Sequence, residues 1–558
     1  MVQTNLQKKL AFWLVTVSVG TTLCVAPTVS LDPINLPKFF FLLASTGAII
    51  GILVSNLKNI LLQSNKFVLI FLGIFIGWMS LNFVFARSNF EQQLFGTYGR
   101  NTGFLTYLCF AIVMLAAVNS DKIFLREKFV IGVIISIAIN LSYGFLQYLG
   151  IDPFNWAKLY SPIIGTFGNP NFYSAFLGMV IAFLFPYLFS SKIGTKFKIM
   201  ILLSSLLSIF LIHKSDSQQG LLVIAGSIGL IFYFIIKFNY KKVIYSRIYS
   251  ILYASSGTLV ILGLLQKGPL SNLIYEPSIT YRGDYWRSGI RMMEQFPMFG
   301  VGLDSFGNWY RAFRTSSAIS RRGPSAVTDA AHNVFIDIGA TAGVIALITY
   351  LFLIFYCFYR IFKYLNSSKI FDPYFLGLVS MWIAYLIQAS ISINNLALGI
   401  WGWLIPGMIL SITKENNIVD SDSRPKTPSK NLKGIDFSGM TITAGIVIFG
   451  ILGFIPFNAD ANFRHALENA SEEKIISAAT KWPLDTSRML YAVQVFSDNN
   501  LSSQATQLAR KVTNYNRFSF NAWMYLYEAN TSNLAQKRKI KSILIKLDPN
   551  NLELKRLP

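Results

Sequence analysis

Seven arginines and a histidine gather in one polar stretch of this 558-residue chain. Arg282, Arg287, Arg291, Arg311, Arg314, Arg321 and Arg322 lie within residues 266–331, and His332 follows at once. Guanidinium groups are planar forks suited to phosphate or diphosphate oxygens. In the run from Tyr281 to Arg291, i,i+4 spacing predicts Arg287 and Arg291 side by side on a helix. Trp286, Ile290 and Met293 form an adjacent apolar stripe that would rest on a membrane surface. Taken alone, a basic amphipathic helix is better explained by anionic lipid heads. His332 changes that reading. It is one of three histidines, and it stands where Asp329-Ala330-Ala331-His332-Asn333 leads into an apolar helix. A histidine at a helix start is usually a polar cap. Beside so many guanidiniums, however, an imidazole can take a proton from an acceptor hydroxyl, and Asp329 or Asp337 could orient it or stabilise its charged form. His213 and His465 have no such setting.

Two further turns carry polar groups. In residues 165–172 the glycines and Pro170 make a turn whose amides open a helix, with Asn169 and Asn171 at its mouth. Such a helix start can receive an anion, and a simply capped helix is the plainer alternative. In His213-Lys214-Ser215-Asp216-Ser217-Gln218-Gln219-Gly220, side chains such as Lys214 and Gln218 could bind sugar hydroxyls, or only hydrate the turn, which is the plainer use.

The elements that must hold these residues are membrane helices. Hydrophobic residues make up 53% of the chain and charged residues 13%, which excludes an ordinary water-soluble fold. About thirteen apolar runs approach the ~20 residues needed to cross a bilayer, from residues 11–29 through 334–358 to 440–457. The net charge of +23 would suggest nucleic acid in a soluble protein, but most Lys and Arg sit in short connections between apolar runs, so nucleic acid is not an expected partner. Cys24, Cys109 and Cys357 fall inside apolar runs without paired spacing and imply neither disulfide nor metal site. The bias of basic residues puts the connections with Lys122, Arg126 and Lys128, with Lys192, Lys196 and Lys198, with Lys241 and Lys242, and with Lys369 inside. Connections with Lys38, Lys158 or Lys214 then fall outside. The N-terminus is then cytoplasmic, and the loop 266–331 and the tail are extracytoplasmic.

The expected fold is all-α. Residues 1–413 form a transmembrane bundle of 12–13 spans with the large outer loop 266–331, residues 414–438 a basic cytoplasmic linker, 439–457 the last span, and 458–558 an outer soluble helical domain. The junctions Trp482-Pro483, Asn516-Arg517 and Asp548-Pro549 recur near the ~34-residue period of tetratricopeptide helix pairs. Ala478, Tyr491, Ala505, Leu508, Trp523 and Leu526 would pack successive helices there, either as a stabilising module or to dock an acceptor.

Residues 165–172 and 282–291, Phe296-Pro297-Met298-Phe299-Gly300-Val301-Gly302, and His332-Asn333 followed by Gly339 and Gly343 occur in this order in a many-span chain. Together they resemble the O-antigen ligase and O-antigen polymerase superfamily, over residues 11–413. The resemblance implies a bacterial inner-membrane enzyme that moves a glycan from an undecaprenyl-diphosphate carrier to a glycan, lipid or protein acceptor on the outer face. It implies no metal ion and no other cofactor. It makes His332 the candidate base and carries diphosphate binding to Arg282, then to Arg287 and Arg291. Asn333, Asp329, Asp337, Asn169, Asn171, Lys214 and Gln218 stand in support. Members commonly carry a Ser-Arg-Gly turn where this chain has Ser217-Gln218-Gln219-Gly220. Lys214 or a loop arginine must then substitute, or the donor is held differently, or activity is reduced. These motifs concern the donor, so ligase, polymerase and protein O-oligosaccharyltransferase share them.

Guanidiniums near a low-dielectric boundary suit a leaving diphosphate, on which negative charge develops. The alternative class is a transporter or flippase of lipid-linked glycans, which would show intramembrane ionisable residues and internal repeats that are not evident here. A metal-dependent transferase would want acidic residues in the first outer loop, which has only Asp32.

Overall fold

The computed structural model describes residues 2–58, 60, 64–156, 161–240, 243–368, 370–414, 438–468, 471–529 and 533–557. Lys158, Lys241, Lys242, Lys369 and nearly all of the basic linker, residues 415–437, lie outside the described residues. All regular elements among the described residues are helical, as the composition predicts. The bundle comprises α1 (Val2–Leu23), α2 (Asn35–Ser55), α3 (Lys66–Phe85), the short α4 (Phe90–Phe95), α5 (Phe104–Val118), α6 (Lys122–Tyr148), α7 (Pro170–Leu184), α8 (Thr195–Lys214), α9 (Gln219–Tyr240) and α10 (Val243–Leu264). The long loop folds as α11 (Pro277–Gln295), α12 (Phe306–Phe313) and α13 (Ser316–Arg322). After it come α14 (Val334–Ala342), α15 (Val344–Ser367), α16 (Pro373–Ile391), α17 (Leu396–Ile412) and α18 (Ser438–Glu468).

Ten helices among the described residues are long and apolar enough to cross a membrane. The three other expected spans are α1, α5 and α17. At 15 and 17 residues α5 and α17 fall short of ~30 Å of hydrocarbon, and α1 opens on polar turns with Lys8 and Lys9. The run 334–358 is not one span. It breaks at Gly343, whose φ of 92° lies in the left-handed region. A Cβ there would stand 1.9 Å from the Met298 carbonyl oxygen, so only glycine lets the loop pass. Backbone bonds from Val344 N to Pro297 O (2.8 Å), Val301 N to Ala340 O (2.9 Å) and Gly302 N to Thr341 O (3.0 Å) then stitch the Phe296–Gly302 segment to the break. α14 is thereby a short helix at the site and not the start of a span.

Polar contacts sort the helix ends into two faces. On one, Gln7 donates to Asn119 O (3.2 Å), Lys9 to Ser438 Oγ (3.2 Å) and Ser411 to Ser120 O (3.0 Å). On the other, Asp32 N donates to Asp460 (3.0 Å), Asn82 to Thr341 O (3.1 Å) and Ser217 to Asn171 (2.8 Å). The N-terminal end thus lies opposite the arginine-rich loop and the tail.

Span α18 does not stop near residue 457 but runs on to Glu468 and carries the tail: α19 (Glu472–Ala479), α20 (Thr486–Asp498), α21 (Ser502–Tyr515), α22 (Phe520–Ala529), α23 (Leu534–Leu547) and α24 (Leu552–Arg556). The tail helices pack each on its chain neighbour, and the three expected junctions fall between them. Ala478, Ala505, Leu508 and Leu526 are buried and Trp523 is half-buried, while Tyr491 is 52% exposed and meets the buried Phe463 ring of α18 edge-on, centroids 6.1 Å apart. α18 is held along α2 by glycine contacts. A Cβ on Gly47 would stand 2.1 Å from the Gly445 carbonyl, and one on Gly51 2.3 Å from that of Thr441. Small residues four apart allow such close approach of helix backbones in a membrane.

Gly47→Val is therefore expected to force α2 and α18 apart at a cost of about 1–3 kcal/mol. Detergent-solubilised protein should melt lower and release residues 458–558 faster to protease. A wild-type cleavage rate would contradict this packing account.

Candidate active site

α11 begins with Pro277 in its first turn, where a missing N–H costs nothing. Its buried face is Asp284, Tyr285, Ser288, Gly289 and Met292. The stripe expected at Trp286, Ile290 and Met293 lies one step round, and Ile290 is 45% exposed. The reason is Gly289, which lets α14 come close: a Cβ there would stand 2.5 Å from Ile336 Cγ2.

The approach of α14 brings in His332. Asn333 caps α14, accepting from the Phe335 and Ile336 amides (3.0 and 3.1 Å) and donating to Ser390 O at the end of α16 (2.8 Å). His332 itself holds φ at 53°, a left-handed backbone that costs a non-glycine residue about 1–2 kcal/mol. Its ring lies against Tyr285, centroids 5.3 Å apart, and Trp286 Nε1 donates to its carbonyl at 3.4 Å. Burial pushes the imidazole down to about 4, helped by the Arg282, Arg100 and Arg322 guanidiniums and opposed by Asp329. At neutral pH the ring is uncharged and free to accept a proton.

Arg100 organises the base of the site, although nothing in the sequence reading singled it out. Its guanidinium is buried and donates to Asp304 Oδ1 (2.5 Å) and to the Asp329 carbonyl (2.8 Å), with Asp337 Oδ2 at 3.5 Å. Asp304 also accepts from the Thr97 and Thr102 amides (2.7 and 3.2 Å). Residues 86–103 are thus clamped to the long loop. The available signal was an arginine among Gly96, Gly99 and Gly103, in a short outer connection that the basic-residue bias leaves lightly charged. Asp337 accepts from the Ala331 amide (3.1 Å), and burial pushes its carboxyl up to about 6 against the pull of Arg100. Of the two acids expected to serve His332, Asp337 is committed to this clamp, and Asp329 is the one whose field reaches the ring.

The arginines divide by what they touch. Arg282 makes no hydrogen bond or ion pair among the described residues and acts on His332 through its field. Arg287 is 56% exposed at its side chain and stands 3.9 Å from Asp284; Arg291 is exposed and donates to Phe313 O at 3.4 Å. The other four were expected to be open to phosphate, and the structure uses them otherwise. Arg321 is paired with buried Asp284, and Arg322 donates to the Tyr285 hydroxyl and lies 4.5 Å over the Tyr281 ring. Arg311 and Arg314 bind Asp548 of the tail. Arg322 keeps its field on His332 even so.

The turn at 165–172 follows its plainer reading. Asn169 caps α7 by accepting from the Asn171 amide (2.9 Å), and the Gly165 and Thr166 amides go to Gln147 and Asn140 (2.9 and 3.2 Å), so these three amides are spent on the protein. Asn171 accepts from Ser217 (2.8 Å), which brings the two polar turns together. Lys214 and Gln218 are exposed, and Lys214 lies 5.9 Å over the Phe210 ring. Buried Gln219 has both amide atoms without a hydrogen-bond partner among the described residues.

If Arg100 clamps the loops, Arg100→Met strands buried carboxylates and costs about 3–5 kcal/mol. Adding Asp304→Asn should recover part of that loss, because one buried negative charge goes with it. Thermal unfolding in detergent reads both, and a single variant as stable as wild type would contradict the clamp.

No curated relative matches the chain. Residues 201–351 match the family model described as O-antigen ligase, a stretch running from α8 through the arginine-rich loop and His332 into α15. This match supports the O-antigen ligase and polymerase superfamily for a chain with ten helices, among its described residues, long and apolar enough to cross a membrane.

Proposed function

We propose that the protein transfers a glycan from an undecaprenyl-diphosphate carrier to an acceptor hydroxyl on the extracytoplasmic face of the inner membrane, with His332 as general base. The observation that carries this reading is an uncharged imidazole set among guanidiniums, at a helix start on the same face as the tail. The acceptor oxygen attacks the anomeric carbon and its proton passes to the His332 ring. The bond from that carbon to the phosphate oxygen breaks, and the carrier leaves as its diphosphate. Charge builds on the leaving group, and Arg282 meets it first because its guanidinium is not spent on the protein. Arg287 and Arg291 continue the basic strip along the exposed side of α11. The side chains that would have competed for the anion are satisfied internally, which keeps Arg282 the principal grip. Asn333 holds the backbone that presents the base, and Asp329 stabilises the imidazolium once formed. Acceptors of ligase, polymerase or protein O-oligosaccharyltransferase type all fit this chemistry.

His332→Ala is expected to slow consumption of diphosphate-linked donor by about 10²–10⁴-fold, the usual worth of a general base. Equal turnover by both proteins would remove His332 from the mechanism. In vesicles, carrier that changed leaflet without being consumed would favour a flippase instead. Arg282→Gln should lower kcat/KM for donor about 10–100-fold, the worth of one charge-assisted hydrogen bond.

The pH dependence has a definite sign. The folded imidazole titrates near 4, so the base form persists well below the ordinary 6.5 and activity falls only as pH drops toward 4. In kcat the acid limb should lie higher than in kcat/KM, because bound diphosphate favours the imidazolium. An acid limb near 6.5 in kcat/KM would contradict the burial of His332.

A further inference from the structure

The tail reaches into the arginine-rich loop with one carboxylate. Asp548, directly after α23, has a fully buried side chain, and its partner Arg314 is 1% exposed. Arg314 Nε donates to Asp548 Oδ1 at 3.1 Å and Nη2 pairs with Oδ2, a two-pronged ion pair. The same guanidinium donates to Pro324 O (2.8 Å) and Ala326 O (2.9 Å). Arg311 joins from one turn earlier on α12, 3.4 Å from Asp548 Oδ2. Asn550 Nδ2 closes the contact by donating to the Arg314 carbonyl at 2.7 Å. Nearby, Trp309 of α12 packs on Phe518 of the tail, centroids 4.5 Å apart.

What α12 carries gives this contact its consequence. Arg314 N donates to Tyr310 O at 2.8 Å, so the latched residue ends the helix turn that holds Tyr310. Tyr310 meets Tyr285 edge-on at 5.7 Å, and Tyr285 lies against the His332 ring. Phe306, Tyr310, Tyr285 and Ala331 share one small apolar core, so movement of α12 is felt at the imidazole. We infer that Asp548 is a positioning residue: through its ion pair with Arg314 the C-terminal domain holds α12, and through the edge-on Tyr310–Tyr285 contact it fixes the place of His332. The domain is a part of the catalytic assembly and not only a spacer. This rests on the reading of His332 as base.

The groups facing the His332 ring are Arg282 and Tyr285 from α11, Arg322 from α13, Arg100 from residues 86–103, and Asp329 from the approach to α14. If the latch opens, the ring gains water and loses the grip of these guanidiniums. Its titration midpoint should then climb from about 4 toward about 6.5. A merely structural role for the tail would not move that midpoint.

The test uses the full chain in lipid nanodiscs, with Asp548→Asn as the first variant. The His332 midpoint is read by peptide-resolved carbethoxylation with diethyl pyrocarbonate, and turnover by loss of lipid-diphosphate donor. Asp548→Asn is expected to raise the midpoint and to lower kcat about 100-fold, with donor KM little changed, because displacement of a reacting group by ~1 Å costs about that much. Tyr310→Leu leaves the ion pair in place, removes the edge-on ring contact, and should move the midpoint the same way; it serves also if Asp548→Asn does not fold. Asp498→Asn, an exposed carboxylate on α20, should change neither reading. An unmoved midpoint in Tyr310→Leu, or in a folded Asp548→Asn, overturns the latch. A raised midpoint with undiminished turnover supports the latch and overturns His332 as the base.

Discussion

A buried guanidinium inside a membrane protein must be answered by carboxylates or it will not stay buried. At Arg100 the answer comes from Asp304, Asp329 and Asp337, all on or beside the long loop. This fixes the face that carries the loop, because the loop could otherwise drift: it is held to the bundle by short helices and a few backbone bonds. With Arg100 in place, Asp304 also ties down the Thr97 and Thr102 amides, and Asp337 receives the Ala331 amide next to His332. The left-handed backbone at His332 is tolerated because both of its neighbours are held, Ala331 by Asp337 and Asn333 by Ser390.

The same constraint explains how charge is apportioned. Of seven loop arginines, Arg311, Arg314 and Arg321 neutralise buried carboxylates, and Arg322 bonds a tyrosine. Arg282 has no ion pair among the described residues and stands near a ring that burial keeps neutral. The diphosphate site proposed above would need uncommitted positive charge where the ligand arrives and paired charge elsewhere, since fully buried unpaired charge is costly. The C-terminal domain joins this scheme by contributing Asp548, which lies far from Arg314 in sequence and adjacent to it in space.

Glycines set the close approaches on which these contacts rest. Gly343 lets the Phe296–Gly302 segment cross the helix break, Gly289 lets α14 meet α11, and Gly47 with Gly445 lets α18 run along α2 into the tail. Each is a place where a Cβ would meet backbone or a packed side chain, so a side chain there would push apart the elements that the glycine lets approach.

Sequence by itself determined the membrane class and the all-helical fold, and it pointed to the O-antigen ligase match over residues 201–351 and to an arginine-rich loop leading into His332. It could do so because hydropathy, charge bias and motif order are local or additive along the chain. It also put the tail junctions between helices, since turn residues and apolar spacing are local too. It did not determine which arginines remain free, that residues 334–358 are two helices and not one, or that Arg100 sits at the centre. Those outcomes depend on which carboxylate or carbonyl lies opposite each side chain, and the partners come from positions up to 237 residues apart, as with Arg311 and Asp548. Only tertiary structure decides that, because a buried charge takes whatever partner packing brings within hydrogen-bond reach, and local spacing carries no record of it.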